Sequence, residues 1–89
     1  MKEYKLVLRM LIRVELGEYR RIVGDTQEAM AEKLHISPRS YSDLERGKYG
    51  VSTVPLLFFL DLLPQEKMAQ VVHGFVVRVR EVNEHEGPV

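Results

Sequence analysis

The chain has 89 residues, 45% of them hydrophobic and 29% charged, with four prolines; that is enough for one modest core, and the composition excludes a natively disordered chain. It contains no cysteine, which excludes a disulfide framework and a thiolate metal site. Charges at Lys2, Glu3, Lys5, Arg9 and Arg13 interrupt the first apolar run, and the longest unbroken one, residues 54–60, is far too short to cross a bilayer. The expectation is a cytoplasmic protein without a signal peptide, folded as a single all-α domain over residues 1–89.

The apolar spacing predicts five helical segments. In the first, Lys2 to Val23, Leu8, Leu11, Ile12, Leu16, Tyr19, Ile22 and Val23 recur at steps of one, three or four, the stripe of an amphipathic helix. Gly17 inside it marks a bend or a close approach by another helix, and Gly24 is a good terminator. The second segment opens at Asp25-Thr26. Either side chain can cap it, and Asp25 with Glu28 has the spacing of a full capping box. Met30, Ala31 and Leu34 form its inner face. A corner follows at His35-Ile36-Ser37, with Ile36 plugging the core between two helices. Ser37 is a strong N-cap, and Pro38 suits the first helical position. The third segment thus runs from Pro38 to Gly47, with Tyr41 and Leu44 inward and Arg39, Ser40, Ser42 and Asp43 outward.

Ser52 caps the fourth segment, residues 53–63, which carries Pro55 in its first turn and is apolar nearly all round. Such a helix is either central and buried or keeps one face for a partner. Pro64 opens the fifth, residues 64–84, where Met68, Val71, Val72, Phe75, Val76 and Val79 recur at helical spacing. Its valines and Gly74 make a strand over 71–79 the competing reading. The pattern lacks strict alternation and the rest of the chain is helical, so helix is preferred, with a frayed tail from Asn83.

Two short helices around a tight corner, over residues 26–47, present a helix N-terminus with small polar and cationic side chains, which a DNA major groove accepts. Thr26-Gln27, Ala31, Leu34, Ile36, Ser40, Leu44 and Glu45-Arg46-Gly47-Lys48 resemble the helix-turn-helix of the phage repressor and Cro family, the Xre-like regulators. The resemblance covers residues 16–63. It implies a five-helix, lambda-repressor-like fold that binds double-stranded operator DNA, commonly as a dimer. It implies an ion pair between Arg20 and Glu45. It also implies a DNA contact from Gln27, base reading by Pro38, Arg39, Ser42 and Asp43, and phosphate contacts from Ser40, Arg46 and Lys48. Ser37 and Tyr49 flank these positions and join the candidate interface. The chain departs from the family pattern at Val51, where a proline is usual, at the bulky Tyr41, at the polar Asp25 and in a first helix about ten residues longer than the family core needs.

Each residue also has a plainer reading. Arg39 is a guanine reader or a solvated arginine; Gln27 and Ser40 are phosphate donors or solvated helix termini. Asp43 accepts from cytosine or, in better keeping with its charge, pairs with Arg39 or Arg46. Zero net charge weighs against nucleic-acid binding, although residues 1–24 hold six basic and three acidic groups. His35, His73 and His85 lack metal-ligand spacing, and no base–nucleophile arrangement exists, so neither a metal, a cofactor nor an enzyme is expected. The apolar excess toward the C-terminus predicts a homodimer through Phe58, Phe59, Phe75, Val76 and Val79. The reading is a transcriptional regulator, acting as a repressor by occupying an operator. The alternative is a protein-interaction module, antitoxin-like or an adaptor, on the same scaffold.

Overall fold

The computed structural model describes residues 2–86, and side chains from Tyr4 to Glu84. Among the described residues there are five helices and no strand: α1 (Lys2–Val23), α2 (Gln27–Leu34), α3 (Pro38–Glu45), α4 (Thr53–Leu62) and α5 (Gln65–Glu86). The core gathers Leu11, Ile12, Leu16, Met30, Ala31, Leu34, Tyr41, Leu44, Phe59 and Val71 from all five. None of these helices is long and apolar enough to cross a membrane.

Helix α1 turns Leu11, Ile12 and Leu16 inward and packs Leu8 and Tyr19 against them. Ile22 and Val23, expected on the same stripe, are exposed instead, because the helix outruns the core in its last turn. The chain leaves α1 at Gly24, where φ is +76° and Gly24 N and Asp25 N both donate to the Arg20 carbonyl, at 2.9 and 3.2 Å. A left-handed residue there costs glycine little. Gly17 lies within the continuous helix, and nothing is within 4 Å of where its side chain would be.

The N-cap of α2 is Thr26, whose Oγ1 accepts from Ala29 N at 3.0 Å. Asp25 is thereby released to form an ion pair with Lys33, so its capping-box spacing with Glu28 is not used. Helix α2 stops at His35, the only described non-glycine residue in the left-handed region, with φ 60°. The His35 and Ile36 amides donate to the carbonyls of Glu32 and Ala31 at 3.1 and 3.0 Å, and Ile36 packs on the core. The His35 ring stacks on Phe58, 4.3 Å between centroids.

Helix α4 resolves its ambiguity in favour of an open face. Phe59 alone is fully buried, set edge-on to Tyr19 at 6.0 Å, while Val54, Leu57 and Phe58 are exposed. The segment 64–84 is helical and continues two residues further, to Glu86. It runs antiparallel to α1: Lys67 pairs with Glu15 at 3.3 Å, and the Tyr4 hydroxyl donates to Asn83 Oδ1 at 2.9 Å. A helix satisfies its own backbone and can lay Val71 and Phe75 along α1, whereas a lone strand here would leave its backbone edges unpaired.

Candidate nucleic-acid interface

Local chemistry fixes both ends of α3. Ser37 Oγ accepts from Ser40 N at 3.0 Å and its hydroxyl donates to Ser40 Oγ, also at 3.0 Å. At the other end Gly47 has φ +75°; Gly47 N donates to Leu44 O and Lys48 N to Asp43 O, at 3.0 and 2.9 Å, a Schellman closure. Replacing Ser37 by alanine is expected to cost about 1 kcal/mol, measurable as a lower urea midpoint at unchanged slope.

One carboxylate fixes α3 against its neighbours. Glu45 receives two of the three Arg20 nitrogens, Nε at 2.7 Å and Nη2 at 2.8 Å, together with Gln27 Nε2 at 3.0 Å and the Tyr41 hydroxyl at 2.7 Å. It thus ties α1, α2 and α3 together. The Arg20 hydrogen bonds, working against burial and aided by Tyr41 and Gln27, hold its carboxyl down to about 2. Burial, followed by the adjacent Glu45, pushes the Tyr41 phenol well up from its ordinary range.

Two sequence expectations change here. Asp43 does not point outward: it is 7% exposed, in a cleft it shares with Ile36, Ser40, Leu44, Tyr49 and Pro55, and its Oδ1 takes Arg46 Nη2 at 2.6 Å. A covered carboxylate needs that counterion and is not free to read bases. Gln27 is half-buried, and because Glu45 can only accept, its amide nitrogen must face inward.

Ser37, Pro38, Arg39 and Ser40 are all exposed, and Ser42 is half-buried. Arg39 makes no ion pair among the described residues. Arg46, Lys48 and Tyr49 are exposed on the following loop, with Lys48 Nζ 5.5 Å from the Tyr49 ring centroid. Across residues 37–49 every cation therefore faces solvent, while both acids, Asp43 and Glu45, are turned inward and paired. The zero net charge of the whole chain conceals this local asymmetry.

The sequence reading missed Arg13. Its side chain crosses the loop after α3, so that a methyl group added at Gly47 would meet Arg13 Cδ at 2.9 Å. The available signal was its spacing: Arg13 lies seven residues before Arg20, two turns along the same helix face. Of the residues expected at a dimer interface, Phe59 is 1% exposed and belongs to the core; Phe75, Val76 and Val79 are half-buried, and Phe58 is exposed.

Two short helices crossing at a capped corner, with an exposed helix N-terminus and a cationic loop beyond it, define a helix-turn-helix protein. Residues 16–58 match the helix-turn-helix family model, a match that supports the resemblance to the Xre/Cro-like helix-turn-helix regulators over that segment; domains of that family are DNA-binding regulatory domains. No curated protein and no solved structure matches the chain. The match takes in α2 and α3 whole and leaves outside it most of α1 and all of α5.

Proposed function

We propose that the protein binds double-stranded DNA sequence-specifically as a homodimer and represses transcription by occupying an operator. The observation that carries this reading is the cationic, acid-free surface of α3 and its following loop. In this reading α3 enters the major groove by its N-terminal turn. Arg39 reads guanine through its fork, with Pro38 and Ser42 beside it. Ser37, Ser40, Arg46, Lys48 and Tyr49 meet the backbone, with Gln27 contributing its free carbonyl edge at most. Two such helices in a dimer would read half-sites about one helical turn apart.

The test is selection of bound duplexes from a random library, run with the protein and with Arg39→Ala. A near-palindromic sequence should be enriched, and the substitution should weaken binding to it by about 5- to 150-fold, the equivalent of 1–3 kcal/mol. Absence of enrichment at low salt, with the protein folded, would overturn the reading. The second reading, an interaction module, is favoured by the open apolar face of Val54, Leu57 and Phe58 on α4; that face predicts a protein partner and no selected duplex.

A further inference from the structure

Arg13 lies on α1, just ahead of the family-matched segment. Its side chain reaches across to the turn that ends α3. A methyl group placed on Gly47 would meet Arg13 Cδ at 2.9 Å, Nε at 3.5 Å and Nη1 at 3.8 Å, so the missing side chain of Gly47 is the space that Arg13 crosses. In the chain Gly47 stands between Arg46 and Lys48, both exposed, as Arg13 is. Three cations thus surround one glycine. Like charges repel at such range unless an anion lies among them, and Arg46 has one, Asp43 at 2.6 Å. Arg13 has none: among the described residues it forms no ion pair and donates no hydrogen bond. Nor does it cap α3, since the carbonyls of Leu44 and Asp43 are already taken by Gly47 N and Lys48 N, at 3.0 and 2.9 Å. Its own helix face carries no acid. The positions three, four and seven residues away are Leu6, Arg9, Met10, Leu16, Gly17 and Arg20. The acids of α3 are engaged elsewhere, Asp43 with Arg46 and Glu45 with Arg20.

We propose that Arg13 is a phosphate-contact residue for duplex DNA, acting with Arg46 and Lys48 as one anion-holding turn around Gly47. The inference rests on the DNA reading above and adds to it a contact supplied from outside the matched segment. An unpartnered guanidinium selects an oxyanion: its planar fork offers five N–H donors, and two of them match two oxygens of one phosphate. A duplex presents phosphates in a continuous row, so cations set side by side around a turn can each take one. Such a contact positions the protein and carries no sequence information, because the backbone is the same at every base pair. Arg13 and Arg39 therefore divide the work. Arg39 reads a base, while Arg13 holds the strand beside the end of α3. Helix α1 then acts twice, through Arg20 on the position of α3 and through Arg13 on the DNA.

The test is binding as a function of salt, followed by fluorescence anisotropy with two probes: the duplex enriched in the selection and a duplex of the same length and scrambled sequence. The parent, Arg13→Ala, Arg13→Lys and Arg39→Ala are compared, and a urea midpoint is taken for each. The logarithm of the association constant falls against the logarithm of salt with a slope of about 0.9 for each phosphate held. Arg13→Ala should flatten that slope by about 0.9 per bound copy, on both probes alike. Between about 50 mM and about 200 mM salt, its loss of affinity should be about 3-fold smaller per copy than the parent's. Arg13→Lys keeps the charge and should keep the slope. Arg39→Ala should weaken the enriched duplex far more than the scrambled one. A role confined to packing over Gly47 would lower the urea midpoint of Arg13→Ala and leave the slope where it was; that result overturns the proposal. So does an unchanged slope at unchanged stability. In either case the parent still binds and the DNA reading stands. A parent that binds neither probe at low salt overturns the DNA reading, and the role of Arg13 with it.

Discussion

Glu45→Ala is expected to destabilise the protein by about 3 kcal/mol, the low end of what breaking a covered ion pair costs, because Arg20 keeps some solvent. The loss is not that of one salt bridge. Removing the carboxylate leaves the Arg20 guanidinium, the buried Tyr41 hydroxyl and the Gln27 amide without their shared acceptor, and each orphaned group carries a desolvation penalty of its own. In a domain of this size that corresponds to a fall of about 12–24 °C in midpoint temperature. Glu45→Gln retains the shape and removes the charge, so it isolates the pH dependence. The folded carboxyl titrates at about 2 against an ordinary 4.5. Between those values the unfolded chain takes up a proton that the folded one refuses, so stability falls as pH falls. The contribution is complete above about pH 4.5 and lost as pH drops through 2. Urea midpoints taken across that window should fall more steeply for the parent than for Glu45→Gln. Parallel curves would show that the clasp does not depend on charge.

Phe59→Ala should cost about as much or more, about 3–5 kcal/mol, for a different reason. Phe59 is 1% exposed and fills the space beside Tyr19 under α4. Its loss leaves a cavity that neighbouring helices, capped at fixed positions, cannot close. Phe58→Ala, one residue away, removes an exposed ring stacked on His35 and should cost far less. Chemical denaturation of the two variants separates a core aromatic from a surface one. If Phe59 belonged to an interface instead, its alanine variant would lose self-association in proportion to protein concentration and keep the stability of the isolated chain.

What could be read from the sequence is whatever is decided within a few residues. Ser37-Pro38, Gly24 and Gly47 announce helix ends because capping and left-handed turns are local chemistry. Arg20 and Glu45 were legible only through the resemblance, since nothing in their own surroundings brings together residues 25 positions apart. Phe59 could not be told from Phe58. A helix apolar on every side has no polar face to set its rotation, and the rotation comes from Tyr19 and the rest of the core. The pairing of Asp43 with Arg46 was legible from charge and spacing, but its burial was not, because its local pattern is that of a surface residue; it lines a cleft with Tyr49 and Pro55, which arrive from the loop and from α4. At Thr26 and Asp25 two caps competed within one residue, and the choice went to the side chain without a better partner, Lys33 having claimed Asp25.

The antiparallel arm of α1 and α5 bears on how the molecule opens. Its far end extends past the core and is tied across by the Tyr4–Asn83 hydrogen bond, while the corner that carries Arg39 is locked to three helices through Glu45. Local opening is least costly where few apolar groups are covered. The distal turns of the arm can therefore exchange their amide protons without disturbing the rest, whereas amides near Tyr41 and Leu44 must wait for the whole domain to unfold. One end of the protein is expected to breathe and the other not, and the α2–α3 corner belongs to the end that does not.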